Sequence, residues 1–170
     1  VAEALSSGLP VVLDADALNV LAAAPEDIAH AAGPVVITPH PGEAARLTGG
    51  AVPDIERDRL AAARALAVKT RAVAVLKGAR AIVCDGTIGD DHCSINPTGG
   101  PALSTGGSGD VLAGVIGALL AQGLAAGDAA RAGVYVHGAA GDALGAALGR
   151  GVIASDLPAA IAAAIRDLVR

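Results

Sequence analysis

The 170-residue chain contains no tryptophan, no phenylalanine, no methionine and a single tyrosine. Stacking of nucleic-acid bases on aromatic side chains is therefore excluded, and the formal net charge of -5 rules out a basic nucleic-acid footprint. Hydrophobic residues make up 53% of the chain but aromatic residues only 1%, so Ala, Val, Leu and Ile must fill the core. Only two cysteines occur, Cys84 and Cys93. Their spacing fits no zinc pattern, and they read as buried or surface thiols in a reducing compartment. The most apolar run, Val111 to Ala121, is too short to span a bilayer and is followed by Gln122. Val1-Ala2-Glu3-Ala4 lacks the basic and apolar regions of a signal peptide. A cytoplasmic protein with no membrane or nucleic-acid partner is the expectation. Methionine is missing at position 1 as well, so the chain reads as a fragment or a trimmed product of one domain over residues 1–170.

What is present in quantity is small residues, and they concentrate in Ser104-Thr105-Gly106-Gly107-Ser108-Gly109-Asp110, which runs into the helical pattern Val111-Leu112-Ala113-Gly114-Val115-Ile116. Glycines let the backbone adopt positive φ and approach a ligand closely. A helix start adds unpaired N–H groups and a partial positive charge, which together suit a phosphate. No Gly-Lys-Ser/Thr follows, which excludes a Walker loop. The Pro- and Gly-containing segment Ile95 to Leu103 is not the strand that a dinucleotide fingerprint requires. Asp110 sits where the glycines end. A carboxylate beside an anion hole is explained if it takes the proton of a hydroxyl that attacks the phosphorus, although an acid near a helix start is also an ordinary cap.

Three short apolar runs read as buried strands: Val11 to Leu13, Val35 to Thr38 and Val73 to Lys77. Ile55 to Lys69, free of Gly and Pro, predicts one continuous helix. Strands alternating with helices imply a parallel sheet covered on both faces. Arg80 to Cys84 and His92 to Ile95 then predict a hairpin about Asp85-Gly86. Helices are expected over Asp110 to Gln122, Ala126 to Leu148 and Pro158 to Arg170, the middle one carrying glycines that imply close helix–helix or helix–sheet approach.

Ligands in open α/β sheets bind beyond the carboxyl ends of the strands. Polar clusters fall at such ends: Asp14 to Asn19, Thr38 to Glu43, Lys77 to Arg80, and the Gly-rich loop. Each has an ordinary explanation as a cap, a turn or a solvated charge. Together they describe a cleft with carboxylates, an imidazole, a cation and an anion hole.

These stretches, with Asn96-Pro97-Thr98-Gly99 and Ala132 to Asp142, resemble the ADP- or ATP-dependent NAD(P)H-hydrate dehydratases, the carbohydrate-kinase-like domain of metabolite-repair proteins. The resemblance implies a ribokinase-like three-layer α/β/α sandwich, here without the N-terminal part of that domain. It implies a hydro-lyase that phosphorylates the hydroxyl of hydrated NADH or NADPH (NADHX, NADPHX) with ADP or ATP and Mg²⁺, then eliminates phosphate. Under it, Asp110 contacts the substrate hydroxyl as base, and the N–H groups of Gly106 to Gly109, with Gly107 and Gly109 foremost, hold the phosphoryl group. Lys77, Gly78, Ala79, Arg80, Ala81 and Gly109 bind the adenine nucleotide, and His40 contacts the hydrated dinucleotide. Asn19 and Glu43 are candidates to place Mg²⁺ through water, without a dedicated metal-ligand set. His137 reads as structural, and a homo-oligomer is implied. A vitamin-precursor or sugar kinase of the same fold, or a non-catalytic nucleotide-binding fragment, are the competing readings.

Overall fold

The computed structural model describes residues 1–89 and 92–169. Asp90 and Asp91 of the expected hairpin loop, and Arg170 at the end of the last expected helix, lie outside the described residues. Among the described residues one sheet contains β1 (Val11–Leu13), β2 (Val35–Ile37), β3 (Val73–Leu76), β4 (Ile82–Asp85) and β5 (Cys93–Ile95), in sequence order. The first three strands are parallel, and β4 and β5 continue the sheet antiparallel. The helices are α1 (Ala2–Ser6), α2 (Asp16–Leu21), α3 (Pro41–Thr48), α4 (Val52–Arg57), α5 (Arg59–Thr70), α6 (Ser108–Ala121), α7 (Ala126–Leu148) and α8 (Leu157–Leu168).

Every residue of β2, β3 and β4 is buried, as strands covered on both faces must be. Successive side chains alternate between faces. Ile37, Ala74, Leu76 and Ile82 join Leu47 of α3 and Leu66 of α5 in one core. Val36, Val73, Val75 and Val83 join Ile116 of α6 and Val134 of α7 in the other. The molecule is thus an α/β/α sandwich, and a smaller cluster of Val136, Ala140, Leu157 and Ile161 fastens α8 to α7.

Two expectations are corrected. The helix predicted over Ile55 to Lys69 is broken at Asp58 (φ -144°, ψ 80°), whose carboxylate accepts from Ala61 N at 2.9 Å and starts α5 afresh. An aspartate free to cap a second helix outweighs the helical propensity of its neighbours. Cys84 and Cys93, expected as free thiols, are joined in a disulfide. The antiparallel register sets them directly opposite, with Cα atoms 4.1 Å apart, so the hairpin itself brings the sulfurs together. The reducing compartment inferred from free thiols loses that support. No described helix is long and apolar enough to cross a membrane.

The glycines of α7 do permit close approach, but mostly to a loop. A Cβ at Gly133 would meet Ile116 of α6 at 2.6 Å, whereas one at Gly141 would meet Leu103 at 2.5 Å and one at Gly138 would overlap Thr98. We expect Gly138→Ala to lower the unfolding free energy by about 1–3 kcal/mol through overpacking. Gly114→Ala, where nothing lies within 4 Å, should be neutral or stabilise by up to about 1 kcal/mol. Urea denaturation of both variants checks the contrast; equal effects would mean that α7 does not press on the loop.

Candidate active site

The parallel register brings the carboxyl ends of β1, β2 and β3 level. Thr38 N donates to Leu13 O at 3.0 Å and Lys77 N to Pro39 O at 2.8 Å, tying the three exits together. Side chains converge there. Lys77 Nζ lies 2.6 Å from Asp14 Oδ1 and 3.9 Å from Glu43 Oε2, with all three side chains largely buried. Glu43 Oε2 accepts from His40 N at 2.7 Å, while His40 Nδ1 accepts from Gly42 N at 2.9 Å, a reciprocal cap that starts α3. The His-Pro-Gly-Glu sequence therefore does structural work by fixing Glu43, and leaves the His40 ring half exposed. Asn19 Oδ1 is taken by Arg46 Nε at 3.0 Å. Arg59 Nη2 donates to Lys77 O at 3.2 Å from α5, a support that nothing in the sequence pattern marked. Ala15 (φ 49°) and Arg80 (φ 53°) hold left-handed backbone at two of these exits. Such conformations cost roughly 1–3 kcal/mol outside glycine.

The Gly-rich turn faces this cluster. Gly107 (φ 86°) caps α6 in the left-handed region that favours glycine. Ser108 N is directed to Thr105 O at 3.3 Å, and Val111 N to Gly107 O at 3.2 Å. Among the described residues, the N–H groups of Gly106, Gly107, Gly109 and Asp110 have no acceptor. The candidate anion site is thus four amides at a helix start, with Ser108 N withdrawn from it. A Cβ at Gly109 would lie 3.3 Å from Lys77 Nζ and 3.7 Å from Asp14 Oδ2, so the turn abuts the ion pair through its backbone.

A cavity of about 580 Å³ opens beside the turn. Its lining includes Lys77, Gly78, Ala79, Arg80 and Ala81, the loop residues Asn96, Thr98, Gly99 and Gly100, and Ser108 and Gly109 of the turn. This volume suits a nucleotide-sized ligand. Asp110, Gly107 and His40 do not line it: Asp110 is exposed in the first turn of α6. The loop from Asn96 is anchored to α7, with Asn96 Nδ2 donating to Val134 O at 3.0 Å, Thr98 Oγ1 to Tyr135 O at 2.9 Å, and Asp142 Oδ2 accepting from Gly99 N at 2.9 Å. These anchors lay within recognisable segments, but their partners are remote in sequence. Burial holds the His137 imidazole below its usual value of 6.5, while its hydrogen bond with Ser108 acts in the opposite sense.

Compared with known proteins, residues 1–163 match the family model described as NAD(P)H-hydrate dehydratase. The chain is 51% identical over 149 residues to the bifunctional NAD(P)H-hydrate repair enzyme of Escherichia coli, covering 87% of this chain and 28% of that protein. It is 44% identical over 156 residues to the ADP-dependent (S)-NAD(P)H-hydrate dehydratase of Neisseria meningitidis, covering 89% of this chain and 52% of that one. An ADP/ATP-dependent NAD(P)H-hydrate dehydratase from Bacillus subtilis, co-crystallised with ATP/Mg²⁺ and soaked with CoA, superposes with a TM-score of 0.81 at 30% identity, covering 96% of this chain and 58% of that chain. A ribokinase-like superfamily protein from Enterococcus faecalis gives 0.70 at 29% identity, over 91% of this chain and 52% of its own. The sandwich is accordingly the expected ribokinase-like fold, and the chain spans between about a quarter and about half the length of these curated relatives.

Because His137 has a lowered value in the folded state, the unfolded chain takes up a proton there first as pH falls. The stability it contributes is complete above 6.5 and is lost as pH drops through the lowered folded value. We expect the unfolding free energy to fall as pH drops below 6.5, and to fall less in His137→Gln, which cannot titrate. Chemical denaturation at each pH checks this; identical losses in both proteins would place the dependence elsewhere.

Proposed function

The chain belongs to the NAD(P)H-hydrate dehydratase family, and from that premise we propose that it takes part in the nucleotide-dependent dehydration of hydrated NADH and NADPH. The observation that carries the reading is the junction at Gly109. The cavity lined by Lys77 to Ala81 is also lined by that residue, and Asp110, one residue further, does not line it. Nucleotide and acceptor hydroxyl can then approach a shared phosphoryl group from opposite sides of one helix turn.

In the first step the substrate hydroxyl oxygen attacks the terminal phosphorus of ADP or ATP. The bond from that phosphorus to the bridging oxygen breaks, and Asp110 takes the hydroxyl proton. The free amides of Gly106, Gly107 and Gly109 stabilise charge on the phosphoryl oxygens. Removing one such donor typically costs about 3–4 kcal/mol of transition-state stabilisation. In the second step the carbon–oxygen bond to phosphate breaks, with the ring-nitrogen lone pair supplying electrons. Loss of the neighbouring carbon's proton restores the double bond. Lys77 to Ala81 carry the adenine nucleotide and the exposed ring of His40 meets the dinucleotide.

The donor set suits Mg²⁺. Asp14 and Glu43 are hard oxygen donors that together outweigh the one charge of Lys77, so the cluster accommodates a further cation brought in with phosphates. Glu43 and Asp14 would hold it through water; Asn19, engaged by Arg46, is the weaker candidate. Bound there, Mg²⁺ would offset phosphate charge. The substrates, pyridine dinucleotide and nucleoside phosphate, are those of the cytoplasm, where we place the activity.

The test follows reduced-nicotinamide absorbance after mixing hydrated NADPH, Mg²⁺ and ADP or ATP with the chain. Recovery should require nucleotide, and Asp110→Asn should slow it by about 10²–10⁴-fold while nucleotide binding persists. A stable phosphorylated product without absorbance recovery would instead identify a kinase. Nucleotide binding with no turnover would leave a binding module.

A further inference from the structure

The peptide group joining Ser108 to Gly109 is gripped from behind. His137 Nε2, on α7, lies 3.0 Å from Ser108 O and 3.3 Å from Ser108 Oγ. Both residues are buried, at 6% and 5% exposure. A carbonyl oxygen can only accept, so the ring nitrogen facing it carries the proton. Burial keeps this imidazole neutral near neutral pH, which leaves its single ring proton on Nε2.

The other end of the same peptide group is Gly109 N–H, one of the four amides without an acceptor among the described residues. A peptide unit is planar, so holding its carbonyl also sets the direction of its N–H. A further donor on the carbonyl polarises that N–H, and this matters most where water is scarce. The positions cooperate: Ser108 N is withdrawn toward Thr105 O, while Gly109 lines the cavity beside Lys77.

We propose that His137 is a positioning residue for the anion-binding turn, acting through the Ser108 carbonyl to orient and polarise the Gly109 N–H toward a phosphate oxygen. It touches neither substrate nor nucleotide in this role. The proposal deepens the nucleotide-dependent reading above and rests on it for the identity of the anion. Its evidence is the back-to-back arrangement of a buried donor and an unpaired amide.

The test uses the ¹⁵N-labelled 170-residue chain, probed with inorganic phosphate and with ADP. Three readouts apply: the ring-nitrogen shifts of His137, the Gly109 amide shifts, and ADP affinity. We expect His137 to be protonated at Nε2, and the Gly109 amide proton to move downfield as phosphate or ADP is added. In His137→Leu the Gly109 ¹⁵N resonance should move upfield, because the donor on the preceding carbonyl is lost. ADP binding should weaken by about 3–10-fold. His137→Gln, which keeps a side-chain N–H, should recover most of both effects.

Protonation at Nδ1 in the unsubstituted chain overturns the proposal without any variant, so a poorly folding leucine variant does not shield it. Unchanged Gly109 shifts and ADP affinity in a folded His137→Leu variant overturn it as well, and would leave His137 as packing alone. A Gly109 amide indifferent to both phosphate and ADP does the same. Turnover of hydrated NADPH does not enter these readouts. A chain that binds ADP through Gly109 yet lacks dehydratase activity would defeat the dehydratase reading while leaving this one standing.

Discussion

The parallel pairing of β1, β2 and β3 is the constraint on which the rest depends. Parallel strands bring like ends together, so residues from three remote segments leave the sheet at one edge. The register Leu13 to Ile37 and Ile37 to Ala74 decides which they are. Asp14 emerges beside Thr38, and Lys77 arrives against Pro39. A slip of one residue in β3 would turn Lys77 to the other face, because strand side chains alternate. The 2.6 Å contact between Lys77 and Asp14 is therefore a consequence of the ladder, and it fixes the charge that faces the glycine-rich turn. Its net worth for folding is small, since the desolvation of both groups offsets much of their attraction. Its value lies in holding an ammonium at a set place.

The antiparallel half of the sheet serves the cavity differently. β4 begins directly after Ala81, and β5 ends directly before Asn96. Both residues line the cavity, so the hairpin carries two of its walls on adjacent strand ends. The Cys84–Cys93 bond joins those strands further along the hairpin. From the opposite layer, α7 receives the second wall through Asn96, Thr98 and Asp142, and glycines at 138 and 141 let the loop lie against the helix.

Much of this was readable from local pattern. Short apolar runs marked β1, β2 and β3, the first two entered from Gly/Pro turns, because a strand buried on both faces has no room for polar residues. The Gly-rich turn was legible because few sequences other than glycine tolerate φ of 86° before a helix. The disulfide was missed although its signal was present: a hairpin about Asp85-Gly86 with a cysteine on each arm puts the two near each other, and spacing rules for metals do not see that. The break at Asp58 was hidden because its neighbours are strong helix formers. Arg59 under Lys77 and His137 behind Ser108 were beyond reach for another reason. Each contact joins segments 18 and 29 residues apart through side chains whose partner is a backbone carbonyl, and a carbonyl carries no sequence signature.

In the proposed reaction, one turn of α6 separates two chemical tasks that would otherwise interfere. A carboxylate close to a phosphoryl group repels it, and amides that bind phosphate would equally bind that carboxylate. A helix advances about 100° per residue, so Gly109 and Asp110 necessarily point to different sides. Gly109, lacking a side chain, lets the cavity reach the backbone, while Asp110 is carried to the exposed side. Adjacent positions in sequence thus face different surroundings, one the cavity and the other solvent. A side chain at position 109 would not only crowd Lys77 and Asp14; it would screen the amide that the proposal has α7 orient. The same geometry accommodates the supporting contact from behind the turn, on the Ser108 carbonyl: in the proposed reaction the front stays open to phosphate and to the acceptor hydroxyl.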